Sequence, residues 1–191
     1  MPHPEAERWN ARYQRESCFW LEQEPRQLLT SYTHLLPAGG RALDAACGVA
    51  INALYLAQHG LRTFALDISE YALRLAKQRA RNLRLELSAA VIDLSNPWLP
   101  AEYFDVILNF HFLERATIPI YRQALRPGGL IFFDTFSKRH ERNDNPVYYL
   151  EPGELRGWFD DFEIIHYAEN DLLPSENHSE RGLAQLIARK P

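Results

Sequence analysis

The chain has 191 residues, 46% of them hydrophobic and 24% charged, with a formal net charge of −4. That length suits one domain around a single filled core, and the composition excludes a disordered chain. The acidic balance speaks against a nucleic-acid binder held by a broad basic field, and no apolar run reaches the roughly 18 residues that a membrane span needs.

The first residues, Met1-Pro2-His3-Pro4-Glu5, lack the basic and apolar regions of a secretory signal. The only two cysteines, Cys18 and Cys47, make no disulfide framework. A cytoplasmic protein is expected. A first helix is predicted over Glu5 to Glu16, with Ala6, Trp9 and Tyr13 on one face. A second follows Pro25, with Leu28, Leu29, Tyr32, Leu35 and Leu36 at helical spacing, and Pro37 and Gly39-Gly40 end it.

From Arg41 the period changes. Arg41 to Cys47 reads as a short buried strand running into a glycine turn, and the next helix places Ala53, Leu56 and Ala57 together and stops at Gly60. A strand from Arg62 to Leu66 ends on Asp67. Ser69 then caps a helix with Ala72, Leu75, Ala76 and Ala80 toward the sheet. Further strands are expected within Leu85 to Ile92 and over Asp105 to Phe110. A helix around Ile118 to Leu125 leads to the turn Arg126-Pro127-Gly128-Gly129 and the strand Leu130 to Phe136. A polar insertion, Ser137 to Asn145, and a helix near Glu151 to Phe159 precede the strands Phe162 to Tyr167 and Leu183 to Arg189. The pattern predicts an α/β, Rossmann-like doubly wound seven-stranded sheet, mostly parallel. The last two strands, joined by a polar stretch containing Pro174, form an antiparallel pair.

Ligands of open α/β sheets bind beyond the carboxyl ends of the strands. Those ends read Asp44-Ala45-Ala46-Cys47-Gly48, Asp67-Ile68, Asp93-Leu94 and Asn109-Phe110-His111. One such aspartate is as readily a helix cap; three in succession form a constellation. Gly48 lets backbone approach a ligand. Asp67, 23 residues after Asp44, has the spacing of an acid that accepts from ribose hydroxyls. Asp93 with the Leu94 backbone can read an adenine edge, and Asp44 can hold an ammonium group. The expected ligand is an adenosine with a positively charged tail. A dinucleotide fingerprint would need glycine at 46, 48 and 51, where Ala46, Gly48 and Ile51 stand. No Gly-Lys-Ser/Thr phosphate loop follows any strand.

Leu43-Asp44-Ala45-Ala46-Cys47-Gly48 resembles the first motif of class I S-adenosylmethionine-dependent methyltransferases, and Ala65-Leu66-Asp67-Ile68-Ser69 their ribose-binding motif. Phe104 to Asn109 and Leu125 to Gly129 resemble their fourth- and fifth-strand signatures, in matching order over residues 40–136. Trp9 to Tyr13, Phe112 to Arg115, Leu150 to Leu155 and Ile187 to Pro191 resemble small bacterial methyltransferases of the tellurite-resistance and thiopurine types. The resemblance implies S-adenosylmethionine as cofactor and a small-molecule or inorganic acceptor; the acidic balance and the lack of a long apolar run leave no nucleic acid or membrane as expected partner. It implies an N-terminal helical lid over residues 1–37, a cofactor-binding core over 40–136, and a substrate-side insertion and final strands over 137–191. Cofactor contacts are expected from Asp44, Ala46, Cys47, Gly48, Ala50, Asn52, Asp67, Ile68, Asp93, Leu94 and Asn109.

Two positions depart from the family. The first motif usually continues with a second glycine, a basic residue and Asn; here Ala50 and Ile51 precede the retained Asn52. If position 50 needs positive φ, its Cβ strains the loop by about 1 kcal/mol, roughly fivefold in affinity. If φ is negative, the methyl merely narrows the space beside the cofactor. A degenerate relative with weak cofactor binding and an interaction role is therefore the alternative to an active enzyme.

Methyl transfer from a sulfonium is an in-line displacement, so the protein mainly aligns the reactants. A thiolate acceptor needs no base, while a hydroxyl benefits from one. His111 is the candidate base or substrate contact, or else a histidine bonded to nearby backbone. Arg115 can orient an anionic acceptor or pair with Glu114 or Glu141. Tyr13 and Trp20 can cover the cofactor, or pack a helix in place. Tyr149, with Tyr148, can line the acceptor pocket. The histidines and cysteines are scattered, and no metal site is expected.

Overall fold

The computed structural model describes residues 3–138, 148–171 and 182–191. Helices α1 (Pro4–Arg15), α2 (Ser17–Leu21) and α3 (Gln27–Ser31) and a 3-10 turn (Thr33–Leu35) precede β1 (Arg41–Ala45). Then follow α4 (Ile51–Gln58), β2 (Arg62–Asp67), α5 (Glu70–Leu83), β3 (Ser88–Val91), β4 (Phe104–Phe110), α6 (Thr117–Ala124) and β5 (Leu125–Ser137). The chain closes with α7 (Glu154–Gly157), β6 (Glu163–Asp171) and β7 (Gly182–Arg189).

One seven-stranded sheet has the order β3-β2-β1-β4-β5-β7-β6. The first five strands pair in parallel, and β7 lies antiparallel between β5 and β6. The chain winds outward from β1 to β3, then returns to β4 on the other side of β1. That reversal opens a crevice at the carboxyl ends of β1 and β4, the usual ligand position in such sheets.

The central strands are apolar on both faces because helices cover both. Ile107 of β4 joins Leu43, Ile131, Phe133, Tyr121 and Phe159 on one side. Its neighbours Val106 and Leu108 join Ala42, Phe132, Leu28, Leu29 and Leu56 on the other. The period of two thus divides one strand between two cores. The Ser69 hydroxyl accepts from the Ala72 N–H and starts α5, whose Ala72, Leu73, Ala76 and Ala80 are buried. Leu75, expected to face the sheet, is instead partly buried with Tyr13 and Val49.

Besides the short helix α2, which the sequence reading did not include, three elements differ from it. The long helix after Pro25 is the five-residue α3 and a 3-10 turn. The Thr33 hydroxyl, which donates to the Thr30 carbonyl at 2.8 Å and bonds the Tyr55 hydroxyl, draws the chain out of the α register there. The turn Arg126 to Gly129 is absorbed into β5 as a bulge: Leu125 pairs with Phe104, and Leu130 with Val106. Lys190 stabilises it, exchanging backbone hydrogen bonds with Gly128 and Gly129. The helix expected from Glu151 is the single turn α7, which begins after Gly153 at φ +77°. Most of the Ser137 to Asn145 insertion, together with Glu141 and Pro174, lies outside the described residues.

Candidate active site

The chain leaves β1 through a loop with a regular backbone alternation. Ala46, Gly48 and Ala50 have φ of +53°, +55° and +57°. All three sit in the left-handed region where glycine alone is unstrained. Ala50 is the residue before α4, so the helix enters from a strained cap. The positive-φ case foreseen for Ala50 is the observed one, and Ala46 shares it.

That strain has a definite consequence. The chain's own bonds hold the loop in this shape, the Gly48 N–H on the Asp67 carboxylate and the Ala50 N–H on the Cys47 carbonyl, so the cost of the strain falls on folding and not on binding. Ala50→Gly is expected to relieve about 1–2 kcal/mol of strain and to lose about 0.5–1 kcal/mol to chain entropy. The melting temperature should rise by roughly 2 °C, while affinity for S-adenosylhomocysteine stays within about twofold. Thermal unfolding and calorimetry of the variant check both.

Two carboxylates converge beneath the loop. Asp44 Oδ2 accepts from the Ala53 N–H at 3.0 Å, and the residue is 2% exposed. Asp67 accepts from the Gly48 N–H at 2.7 Å and from the Ser69 N–H at 2.8 Å. Burial pushes the Asp44 carboxyl up to about 7; the Ala53 bond opposes the rise and the Asp67 charge adds to it. Burial also raises Asp67, against the pull of the Ser69, Gly48 and Ile68 amides. Among the described residues no cation contributes to either balance. Cys47 is buried beside them, and burial followed by these two charges pushes its thiol well up, which leaves it unreactive.

Asp93 does not join the pair. Its side chain is 44% exposed, accepts from the Ser95 N–H at 2.9 Å and lies 3.5 Å from His3 Nε2. Leu94 is buried in the main core. Asn109 holds the turn after β4, donating to the Phe112 carbonyl at 2.8 Å and accepting from the Tyr121 hydroxyl. Asn52 accepts from the Arg26 N–H at 2.9 Å and so ties α4 to the start of α3.

Helix α1 crosses these strand ends in order. His3 approaches Asp93 beyond β3, and Asn10 Oδ1 accepts from the Ser69 hydroxyl and the Tyr71 N–H beyond β2. Tyr13 reaches the loop beyond β1, where a Cβ added to Gly48 would stand 2.5 Å from its hydroxyl. The Tyr13 ring packs near Trp20 and Trp9, with centroids 5.1 and 5.8 Å away. Burial keeps its phenol protonated. The Trp20 indole N–H is buried without an acceptor among the described residues. Ile51 packs in the same aromatic cluster.

On the β4–β5 side, His111 takes a left-handed backbone at φ +54°. Its N–H donates to the Asp134 carbonyl at 2.7 Å, and its Nε2 lies 3.2 Å from Asp134 Oδ1. Asp134 Oδ2 accepts from Arg26 at 2.8 Å and from Gln185 at 3.2 Å. Burial pushes the Asp134 carboxyl up, but His111 and Arg26 outweigh it and hold it below the usual carboxylate range. The His111 ring stacks on Phe136 at 4.9 Å, and Phe136 neighbours Tyr149 at 6.2 Å. Arg115 pairs with Glu154 through two bonds of 2.6 and 2.9 Å and also donates to the Tyr149 carbonyl, while Glu141, the other expected partner, lies outside the described residues.

Sequence reasoning missed Asp134 and Arg26. Asp134 carried a signal, since it is a fourth aspartate near a strand's carboxyl end, masked by the apolar run Leu130 to Phe136. Arg26 carried none. A surface depression lined by Leu35, Pro37, Asp105 and Arg189 opens at the opposite, amino-terminal ends of β4 and β5 and holds none of these groups.

The family described as "Methyltransferase domain" matches residues 42–129. The "S-adenosyl-L-methionine-dependent Diels-Alderase iccD" of Talaromyces variabilis is 43% identical over 104 residues, 49% of this chain and 35% of that protein. The "Ubiquinone biosynthesis O-methyltransferase" of Nitrosococcus oceani is 28% identical over 144 residues, 67% of this chain and 61% of that protein. The chain therefore spans less than two thirds of either relative's length. The crystal structure of TehB from Haemophilus influenzae superposes with a TM-score of 0.71 at 21% identity, covering 86% of this chain and 61% of that one.

Proposed function

Because residues 42–129 make the chain a member of the methyltransferase domain family of S-adenosylmethionine-dependent proteins, we propose that it transfers a methyl group from S-adenosylmethionine to a small-molecule acceptor. The observation that carries this reading is the pair of buried carboxylates, Asp44 and Asp67, facing no cation among the described residues at a strand-end glycine loop. A buried charge without a partner is costly. S-adenosylmethionine brings an ammonium and a sulfonium, which makes the donor set fit it.

In this reading Asp44 holds the ammonium group, directly or through water. Asp67 accepts from the ribose hydroxyls with lone pairs that the loop amides leave free. The backbone of Ala46, Cys47, Gly48 and Ala50 lies along the amino-acid tail, with Asn52 bracing the loop. Ile68, Asp93 and Leu94 flank the base, and Asn109 shapes the floor. The bound cofactor supplies an activated methyl on a sulfonium whose sulfur leaves as a neutral thioether. The chain's own residues orient the acceptor and exclude water. Residues 1–37 act as a lid through Tyr13 and Trp20, residues 40–136 form the cofactor-binding core, and residues 137–191 contribute the acceptor side through Tyr149. His111 and Tyr149 face the acceptor, while Arg115, engaged with Glu154, braces the Tyr149 backbone.

The ubiquinone-pathway relative, by its name an O-methyltransferase in the making of a small molecule, supports an acceptor of that class. Ala46 and Ala50 favour a second reading, a degenerate relative with weak cofactor binding. Magnitude decides against it, because the strain is a folding cost of about 1 kcal/mol per residue. Calorimetry with S-adenosylmethionine and S-adenosylhomocysteine is expected to show a single site with a dissociation constant between roughly 1 μM and 1 mM. No heat and no thermal shift at millimolar ligand would overturn the proposal.

A further inference from the structure

We infer that Asp134 positions His111 as a general base, and that the acceptor is a protic oxygen compound such as a phenol and not a thiolate. This deepens the proposed methyl transfer and rests on it. A thiolate needs no base, so a base built into the site with its own orienting carboxylate points to an acceptor that must lose a proton. The arrangement is built from four elements. β4 leads directly into His111, whose left-handed backbone turns back so that its N–H meets the Asp134 carbonyl of β5. The same residue's carboxylate faces the ring: Asp134 Oδ1 is 3.2 Å from Nε2, and the side chain is 1% exposed.

This contact has the length of an ion pair without hydrogen-bond alignment, and Oδ1 has no other partner among the described residues. Catalytic hydrogen bonds commonly tighten only once reactants are bound. The other oxygen, Oδ2, is fixed by Arg26 from the segment before α3 and by Gln185 of β7. With Oδ2 held by two donors, Oδ1 can serve only the imidazole. The carboxylate therefore places the ring proton on Nε2 and leaves Nδ1 as the basic nitrogen on a half-exposed ring. The stack on Phe136 fixes the ring plane and gives a flat shelf beside the base.

The step balances without a further reactant. As the acceptor oxygen bonds to the methyl carbon, its proton passes to His111 Nδ1. The carbon–sulfur bond breaks with its electron pair on sulfur, giving S-adenosylhomocysteine. The imidazolium so formed is stabilised by Asp134 and afterwards yields its proton to solvent.

Asp134→Asn tests the positioning role. Arg26 and Gln185 both donate, so the new carbonyl oxygen must face them and the amide N–H₂ must face His111 Nε2. That forces the proton onto Nδ1 and removes the base, as when an orienting aspartate is amidated in a hydrolase triad. Nitrogen-15 NMR of labelled histidine is expected to show the Nε2–H tautomer for His111 in the native chain and the Nδ1–H tautomer in D134N. An Nδ1–H tautomer in the native chain, or an unchanged tautomer in D134N, overturns the positioning role. His111→Asn keeps a residue that tolerates positive φ and serves should D134N not fold. With S-adenosylmethionine as donor, catechol is expected to be methylated faster than thiophenol, and H111N should lose about 10²–10³-fold on catechol with S-adenosylhomocysteine affinity unchanged. A catechol rate no higher than that for thiophenol, including no turnover of either, overturns the acceptor class. Absence of S-adenosylmethionine binding overturns the proposed function instead and leaves the tautomer result standing, so the two failures are distinguishable.

Discussion

Asp44→Asn is expected to make the free protein more stable and to remove its affinity for S-adenosylmethionine. Asp44 is 2% exposed and carries a folded-state pKa pushed up to about 7, chiefly by burial, against about 3.9 when unfolded. Between those values the folded chain keeps a proton that the unfolded chain has released, so this group makes stability fall as pH rises from about 4 to 7. Above pH 7 the full difference of about three units applies, on the order of 4 kcal/mol. Asparagine removes the charge and keeps an acceptor for the Ala53 N–H, at some desolvation cost of its own. A gain of about 2–4 kcal/mol at pH 8, or roughly 5–10 °C in melting temperature, is expected. The gain should vanish near pH 4. Asp134, Glu154 and Asp161, all held below their ordinary range, give the opposite slope. The difference between native chain and D44N, followed by denaturant unfolding from pH 4 to 8, therefore isolates Asp44. A bound cation reverses the balance. S-adenosylmethionine should lower the Asp44 pKa and expel up to one proton near pH 6–7, visible as different calorimetric heats in phosphate and Tris. D44N should release none and bind at least about 100-fold more weakly. A variant that is less stable at pH 8, or that binds as before, rules out this account of the site.

The carboxylate pair was legible in the sequence for a physical reason. A parallel strand covered on both faces is a continuous apolar run, so a charge at its end is conspicuous, and Asp44, Gly48 and Asp67 stood out. Asp93 stood out by the same rule, but its strand β3 is at the sheet edge and its carboxylate turns to Ser95 and His3. Asp134 obeyed the rule and was missed, since Thr135 and Phe136 continue the strand past it. Positive φ at Ala46 was invisible because alanine is not a residue that signals a left-handed turn; the fold imposes it, with the Gly48 N–H drawn onto Asp67. The pairing of Arg115 with Glu154 joins residues far apart in sequence, which only the folded chain brings together. The second long helix failed where hydrophobic spacing ignored the hydroxyls of Thr30, Ser31 and Thr33, which compete for backbone groups.

Tyr13→Ala is expected to release α1 and α2 while leaving the sheet intact. Tyr13 is 7% exposed and lies at the centre of the contact, with Trp9, Trp20, Val49, Ile51 and Ala72 around it. Truncating a buried aromatic costs about 3–5 kcal/mol. Apart from this cluster, the side-chain bonds to the strand ends come, among the described residues, from Asn10 of α1 and from His3 just before it, so the loss falls on docking of the helices and not on the core. A change of 3 kcal/mol raises the open population on the order of 10²-fold. Hydrogen exchange of α1 and α2 amides and tryptic cleavage after Arg12 and Arg15 should accelerate by that factor, while β1 and β4 amides keep their protection. Tyr13 also stands directly over Gly48, so ligand and tyrosine compete for the space above the loop. S-adenosylhomocysteine should therefore associate and dissociate faster in Y13A, with the larger change in dissociation because the cover is gone. Equal acceleration of exchange in α1 and in the central strands would make the N-terminal helices part of one cooperative unit, and residues 1–37 would then be a fixed wall of the site and not a lid.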